Sequence, residues 1–308
     1  MSGKEATFRT FTKDQGQDYA RYRRDYHSRL YQQIIDYHTS KSGQLGTLLD
    51  IGCGPGIAVR TFAKQFTHAI GIDASEGMIT TAKSLGGETS TSEPIRFEVS
   101  ADYGASLDLP DGSVDVITVA TAAHWFDMRL FWTQAARLLK PGGTVALWTG
   151  ANIVALPPTP NPTEITAAIN RLMDRIDDFK EEGNRISQEL YINLAMPWTL
   201  DPPVVEFEKS EAKRVEWGTD TPESLPCDEF FAMNKPANLD MVEAIVATAS
   251  PVIRWREANP ELAGTDQDVV KRMRREMEET MRAGGVNEGE ELLYGGVDAV
   301  LLLNGKKA

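Results

Sequence analysis

Leu48-Leu49-Asp50-Ile51-Gly52-Cys53-Gly54-Pro55-Gly56 is a short buried-strand pattern that runs straight into three glycines at alternate positions, and a helical stretch to about Phe66 follows. Glycine accepts the positive φ of a tight turn and lets a ligand approach the backbone, while the helix N-terminus beyond it offers free N–H groups. A dinucleotide turn carries Gly-x-Gly-x-x-Gly, but counting on from Gly52 and Gly54 puts Ile57 at the third glycine position. That spacing speaks against a pyrophosphate site and against a nicotinamide oxidoreductase. Two acids suit a nucleoside instead. Asp50 lies inside the strand before the glycines, and Asp73 ends the next strand, where a carboxylate can accept both hydroxyls of a ribose.

Away from the turn, apolar runs at 68–73, 95–99, 114–120 and 144–148 read as strands, and 76–84 and 129–139 read as helices. Pro141-Gly142-Gly143 stops the second of these helices. Strands alternating with helices predict right-handed crossovers and a doubly wound α/β domain with a mostly parallel sheet. Upstream, Tyr19, Tyr22, Tyr26, Leu30, Ile34 and Tyr37 recur at near-helical spacing and predict one amphipathic helix, whose aromatic stripe is more often packing than binding. Downstream, the prolines between 157 and 162 mark a boundary or crossing loop. Helices are expected at 163–194, with an interruption near Gly183, and at 239–256 and 266–282; 204–217 carries β-like alternation, and 297–303 reads as a last strand rejoining the sheet. The expected division is an N-terminal helical cap at 1–45, a ligand-binding core at 46–150, and a mostly helical lid with the final sheet strands at 151–308.

The 308 residues suffice for one large or two modest domains, and 41% hydrophobic with 25% charged residues is an ordinary globular composition. With 32 Lys and Arg against 45 Asp and Glu, the formal charge is −13, a field that repels phosphate backbones and anionic headgroups. Neither nucleic acid nor membrane is expected as a partner. Cys53 and Cys227 are too few for a disulfide framework and stand in no metal-ligand spacing, so a reducing compartment and no metal are expected. The first 18 residues have no apolar core of signal-peptide length, and no run approaches the roughly 18 apolar residues of a membrane helix, so the expected location is cytoplasmic.

The glycine segment, the acid at Asp73, Pro141-Gly142-Gly143 before a strand, and the loop Leu107-Asp108-Leu109-Pro110-Asp111-Gly112-Ser113-Val114-Asp115 together resemble the class I S-adenosylmethionine-dependent methyltransferases. The resemblance occupies the first 150 residues and implies a Rossmann-like seven-stranded sheet with S-adenosylmethionine as cofactor. Tyr19, Arg23 and Tyr26 on the N-terminal segment, with Ala123-His124-Trp125-Phe126-Asp127, resemble the trans-aconitate methyltransferase-like branch of fungal small-molecule enzymes. By that resemblance, Gly52, Gly54 and Gly56 flank the methionine part of the cofactor and Asp73 binds its ribose. Ala74 and Met78 pack on the adenine, Ala101 and Asp102 hold its amino group, and Ala120 runs under the sulfonium. Tyr19, Arg23 and Asp50 complete the implied cofactor set. The alternative for Asp102 is an ordinary surface acid. Arg24 stands where that branch usually has proline, and Thr121 where glutamine is common, which points to a different acceptor side.

Transfer of a sulfonium methyl is an in-line displacement, so the protein mainly aligns the groups and excludes water. An acceptor carboxylate is ionised at neutral pH and needs a cationic clamp, for which Arg23, Arg24, Arg254 and Arg256 are candidates. For an acceptor thiol, with pKa about 8.5, a modest local shift or a nearby base suffices. His124 is the candidate base, because it follows a strand at the carboxyl edge of the sheet; a structural histidine is equally compatible with that position. Arg24, Thr121, Trp125 and Phe126 are the candidate acceptor contacts, although aromatic residues there are at least as often core. Trp198, Trp217, Phe230, Phe231 and Trp255 fall in the lid half, and Cys53 reads as a small filler. The other histidines, His27, His38 and His68, read as surface or packing residues, and the charged run from 271 to 282 as a solvated helix face. The expected activity is methylation of a small-molecule acceptor, favoured as O-methylation of a small carboxylic acid. S-methylation of a thiol or dithiol in secondary metabolism is the alternative, and a cofactor-binding regulator without transfer activity is the rival of another class. A monomer or homodimer is expected.

Overall fold

The computed structural model describes residues 11–218, 224–231 and 236–308. The first ten residues of the expected cap segment lie outside this set. Among the described residues the order is α1 (Lys13–Tyr22), α2 (Ser28–Thr39), β1 (Thr47–Ile51), α3 (Ile57–Phe62), β2 (His68–Asp73), α4 (Glu76–Leu85), β3 (Arg96–Val99), β4 (Val114–Ala120), α5 (Met128–Leu138) and β5 (Leu139–Ala155). The second half continues with α6 (Pro162–Arg175), α7 (Glu182–Gln188), β6 (Lys213–Trp217), β7 (Ala237–Asn238), α8 (Leu239–Ala247), α9 (Ser250–Ala258), α10 (Val269–Ala283), β8 (Leu292–Leu293) and β9 (Gly295–Gly305).

Seven strands form one sheet in the order β3-β2-β1-β4-β5-β9-β6. The first five are parallel, and β9 inserts antiparallel between β5 and β6. This is the doubly wound α/β sheet that the strand-helix alternation predicts. Strand order reverses between β1 and β4, and ligands of open α/β sheets bind outside the carboxyl ends of the strands at such a switch point. Both sheet faces are covered, as the nearly continuous apolar runs of β1 and β4 require. One face packs under α2, α3 and α4, with Leu30, Ile34, Phe62 and Ala82 meeting Leu48, Val116 and Trp148. The other packs under α5, where Phe131 and Trp132 are wholly buried and Trp132 donates its indole N–H to the Ala195 carbonyl at 3.0 Å. A third cluster joins α6, α8, α9 and α10 through Ile169, Val246, Trp255, Met273 and Met277, so the helical lid has a core of its own.

Three local readings change. The single helix expected over Tyr19 to Tyr37 is two, because the chain leaves α1 at Arg23 (φ −76°, ψ 133°) and starts α2 from His27, whose side chain accepts the Arg29 N–H. Tertiary pairing overrides the helical period between them: Tyr26 bridges Phe231, and the His27 N–H donates to the Phe230 carbonyl. Pro141-Gly142-Gly143 does not separate helix from strand. Gly142 takes φ +75°, and the three residues form an irregularity inside β5, whose pairing with β4 shifts between Val114 and Val116. β5 then pairs with β9 as far as Ala155, running across the division placed at residue 150. The helix expected over 239–256 breaks before Ser250-Pro251, since proline suits the first turn of a helix and not its interior.

Candidate cofactor and acceptor site

The glycine turn is built from positive φ angles: +71° at Gly52, +54° at Gly54 and +83° at Gly56, which caps α3. The Gly52 and Cys53 N–H groups both donate to the Ile72 carbonyl, holding the turn beside the end of β2. A Cβ at Gly52 would lie 2.8 Å from the Ala122 Cβ, so only glycine lets the loop after β4 pack there. At Gly54 a Cβ would meet nothing within 4 Å, so that face of the turn is open.

Asp73 organises the rim. Its Oδ2 accepts the Gly54 N–H at 2.9 Å, its Oδ1 accepts the Ser75 N–H at 2.8 Å, and its carbonyl accepts the Ser100 N–H at 2.9 Å. Ser75 in turn caps α4 by accepting the Met78 N–H. The Asp73 side chain thus joins the glycine turn to the start of α4, and its backbone ties in the 100–102 loop. A carboxylate at the end of a strand beside a glycine turn is a group of the kind that accepts ribose hydroxyls. Asp102 accepts the Ser100 hydroxyl at 2.7 Å. Burial raises its pKa, but hydrogen bonds from Ser100 and Ser106 prevail and hold it below the ordinary carboxylate value. Gly52, Gly54, Asp73, Ala74, Asp102, Ala120 and Thr121 are all half-buried, Ala101 is exposed, and Gly56 and Met78 are buried.

Asp50 lies under the turn. Its Oδ1 accepts the Thr118 hydroxyl at 2.7 Å, while Oδ2 is buried without a partner. Burial pushes the carboxyl up to about 7, partly offset by Thr118 and reinforced by the charge of Asp73. A desolvated carboxylate with a vacant oxygen is a seat for a cationic or donor group.

The N-terminal strap closes the other side. Arg23 donates through Nε to the Thr248 hydroxyl at 3.0 Å and stands over the Tyr19 ring, 5.0 Å from its centroid. Arg24 reaches the Met241 sulfur of α8 at 3.7 Å, and burial lowers its pKa. Tyr26 places its hydroxyl 3.0 Å from that of Thr121. The arginine set narrows accordingly. Arg256 forms a two-pronged pair with the buried Asp268, at 2.7 and 3.1 Å, and Arg254 binds the Phe179 carbonyl and Asn184, so both brace the lid.

His124 lies on the turn after β4 with its Nδ1 3.0 Å from the Tyr191 hydroxyl. Burial pushes its pKa down to about 3, so the imidazole is neutral at physiological pH and a weak base. Trp125 packs against α7, where a Cβ on Gly183 would lie 2.4 Å from its ring. Phe126 joins Tyr103 and Phe131 on the α5 face, beneath Gly52 and across the sheet from Tyr26. Sequence reasoning did not single out Thr118, Trp148 or Tyr191. Thr118 is the one of these with a local signal, a polar residue inside the otherwise apolar core of β4.

The fold is a doubly wound α/β domain with this rim at its switch point. Residues 49–147 match the family model described as a methyltransferase domain. A Dictyostelium discoideum protein named as a methyltransferase is 37% identical over 131 residues, covering 42% of this chain and 45% of that protein. The probable S-adenosylmethionine-dependent methyltransferase CRG1 of Saccharomyces cerevisiae is 32% identical over 130 residues, covering 42% and 43%. The matched part therefore spans less than half of either relative. A solved structure from Anaeromyxobacter dehalogenans, named as a type II methyltransferase, shares the fold with a TM-score of 0.58 at 19% identity, covering 93% of this chain and 97% of that one. The chain carries a methyltransferase domain of the class I, S-adenosylmethionine-dependent kind. The residues present fit that cofactor: the open face at Gly54, the carboxylate of Asp73 beside it and the Asp50 Oδ2, which has no partner among the described residues, match a group with ribose hydroxyls and cationic centres.

Proposed function

We propose that the protein transfers the methyl group of S-adenosylmethionine to a small-molecule acceptor, and that the acceptor is a carboxylic acid methylated on oxygen. Gly52, Gly54, Gly56, Asp50, Asp73 and Asp102 hold the cofactor, with Ala74, Met78, Ala101 and Ala120 shaping its seat. Tyr19 and Arg23 close over it. The cofactor supplies an activated methyl group; the chain's contribution is alignment and exclusion of water.

One observation favours a carboxylate. Of the groups around Thr121, His124, Tyr26 and Tyr191 are poor bases at neutral pH, since burial drives the His124 imidazole down to about 3 and pushes the Tyr26 and Tyr191 phenols well above their ordinary value. A thiol, with pKa about 8.5, needs a proton removed, whereas a carboxylic acid arrives ionised. His124 is then a neutral hydrogen-bonding group that positions Tyr191, and Arg23 and Arg24 supply the positive charge that the overall −13 withholds from an anion. This reading makes the protein a cytoplasmic enzyme that tailors or detoxifies small acids, working as a monomer or homodimer. It is tested by incubating the protein with methyl-labelled S-adenosylmethionine and a panel of carboxylic acids and thiols. Labelled esters are expected; labelled thioethers alone would overturn the carboxylate assignment.

A further inference from the structure

The sheet face that carries Asp50 holds another buried polar atom with no partner among the described residues, the indole Nε1 of Trp148. Trp148 is wholly buried on β5, in register with Ala120, and its carbonyl accepts the Thr121 N–H at 2.8 Å. The indole therefore sits just behind the rim where β4 ends. The Tyr26 ring meets it edge-on, with centroids 5.3 Å apart and planes at 86°. Its N–H approaches the Tyr26 hydroxyl closely enough to favour the ionised phenol, and among the described residues no acceptor meets it at full hydrogen-bond geometry. Most buried N–H groups in folded proteins are paired, so one left without a partner beside a binding site calls for a reason, and an acceptor oxygen arriving with a ligand supplies one.

Two further hydroxyls stand at the same place. The Tyr26 and Thr121 oxygens are 3.0 Å apart, and one of them must accept from the other, so together they have one proton to give to a third oxygen. Thr121 holds φ +53°, an uncommon angle for a β-branched residue, and such strain collects at functional sites. Phe230 and Phe231 wall the cluster: Phe231 stacks on Tyr26 at 5.6 Å and Phe230 meets it edge-on at 5.4 Å. Tyr26 and Thr121 are only half-buried, so an acceptor can reach them from the rim. Neutral donors in apolar surroundings stabilise an oxygen bearing negative charge and do little for a sulfur, which is a weak acceptor.

We propose that Tyr26, Thr121 and Trp148 form the subsite for the acceptor oxygen that is not methylated. Trp148 Nε1–H and the Tyr26–Thr121 hydroxyl pair donate to one carboxylate oxygen, which leaves the other turned toward the methyl group. The subsite rests on the carboxylate reading above, and it is a specificity device: an acceptor without a carbonyl or carboxylate oxygen leaves the Trp148 N–H unpaired.

The test separates the two ideas. The full chain, 15N-labelled and saturated with S-adenosylhomocysteine, is titrated with citrate, itaconate and benzoate while the tryptophan indole N–H signals are followed by NMR. The Trp148 signal is identified by its loss in Trp148→Phe, or by through-space contacts to Tyr26 if that variant does not fold. The same acids are assayed for ester formation with labelled S-adenosylmethionine. A saturable downfield shift of the Trp148 N–H by at least one acid is expected, together with a fall of about fivefold in kcat/KM for that acid in Trp148→Phe at unchanged cofactor affinity. Ester formation with no movement of the Trp148 signal overturns the subsite and leaves the carboxylate reading standing. A shift without ester formation shows that these groups bind an oxygen ligand but overturns the carboxylate reading, and with it the assignment of the site to the unmethylated acceptor oxygen. Neither shift nor ester overturns both.

Discussion

Thr118 donates its hydroxyl to Asp50 Oδ1 at 2.7 Å, and the second oxygen of that carboxylate is buried with no partner. The geometry ties cofactor binding to stability and pH. An acid whose folded pKa is raised, here from 3.8 to about 7, favours the fold while protonated; that advantage is lost as pH climbs from about 4 through 7. Above pH 7 the charged Asp50 costs the cofactor-free protein on the order of a few kcal/mol. Asp50→Asn is expected to raise the melting temperature at pH 8, change it little at pH 4, and weaken cofactor binding at least about tenfold. Melting curves at the two pH values, with calorimetric titration of S-adenosylhomocysteine, check all three.

Gly54 and Gly52 separate binding from folding. Gly54→Ala meets empty space at φ +54°, so the expected stability loss is the left-handed strain alone, about 1–2 kcal/mol, whereas the new methyl enters the cofactor face and lowers affinity by about tenfold or more. Gly52→Ala adds a 2.8 Å clash with the Ala122 Cβ to the same strain and is expected to melt at a lower temperature than Gly54→Ala. Equal affinities in wild type and Gly54→Ala would remove the turn from the cofactor site.

His124 is neutral throughout the physiological range because burial holds its pKa at about 3. With both substrates saturating, kcat is expected to show no limb between about pH 6 and 8 from this residue. His124→Asn retains a group able to bond the Tyr191 hydroxyl and is expected to keep activity within about tenfold, where loss of a general base costs about 100- to 10,000-fold. A steeper loss, with a kinetic pKa near 6.5 that vanishes in the variant, restores the catalytic-base role.

Arg256 and the fully buried Asp268 pair inside the lid, and Asp268 also accepts the Gly264 and Val270 N–H groups where it caps α10. Arg256→Ala is expected to cost about 2–4 kcal/mol of stability through the uncompensated carboxylate, with cofactor affinity unchanged. Chemical denaturation and calorimetry measure the two quantities. A selective loss of acid methylation at normal stability would return Arg256 to the acceptor clamp.

Local chemistry made the first half legible. Strands β2 and β4 fall where their apolar runs begin and end, and the glycine turn follows β1 as its spacing requires. Asp50 and Asp73 were visible because an acid at the edge of a buried strand needs a reason to be there. Reading failed where distant partners overrode a local period. The aromatic stripe of the N-terminal segment has helical spacing, but Phe230 and Phe231 pull residues 23 to 27 into an extended strap. Arg254 and Arg256 looked available because nothing in a sequence shows that Asn184, Phe179 and Asp268 lie against them.

The class of cofactor was implied by the resemblance that motifs between residues 48 and 143 carry; by itself, the sequence determined the parallel sheet and the ligand-binding turn. Each follows from residues within about ten positions of one another, whose torsional preferences and side-chain alternation act locally. Only the tertiary structure decided what surrounds the end of β4: that Tyr26 reaches Thr121, that the Trp148 N–H behind them has no partner among the described residues, and that burial holds the His124 pKa down to about 3. Those properties arise from desolvation and from contacts between residues far apart in the chain, and both come into being only when the strap, the sheet and the lid pack together.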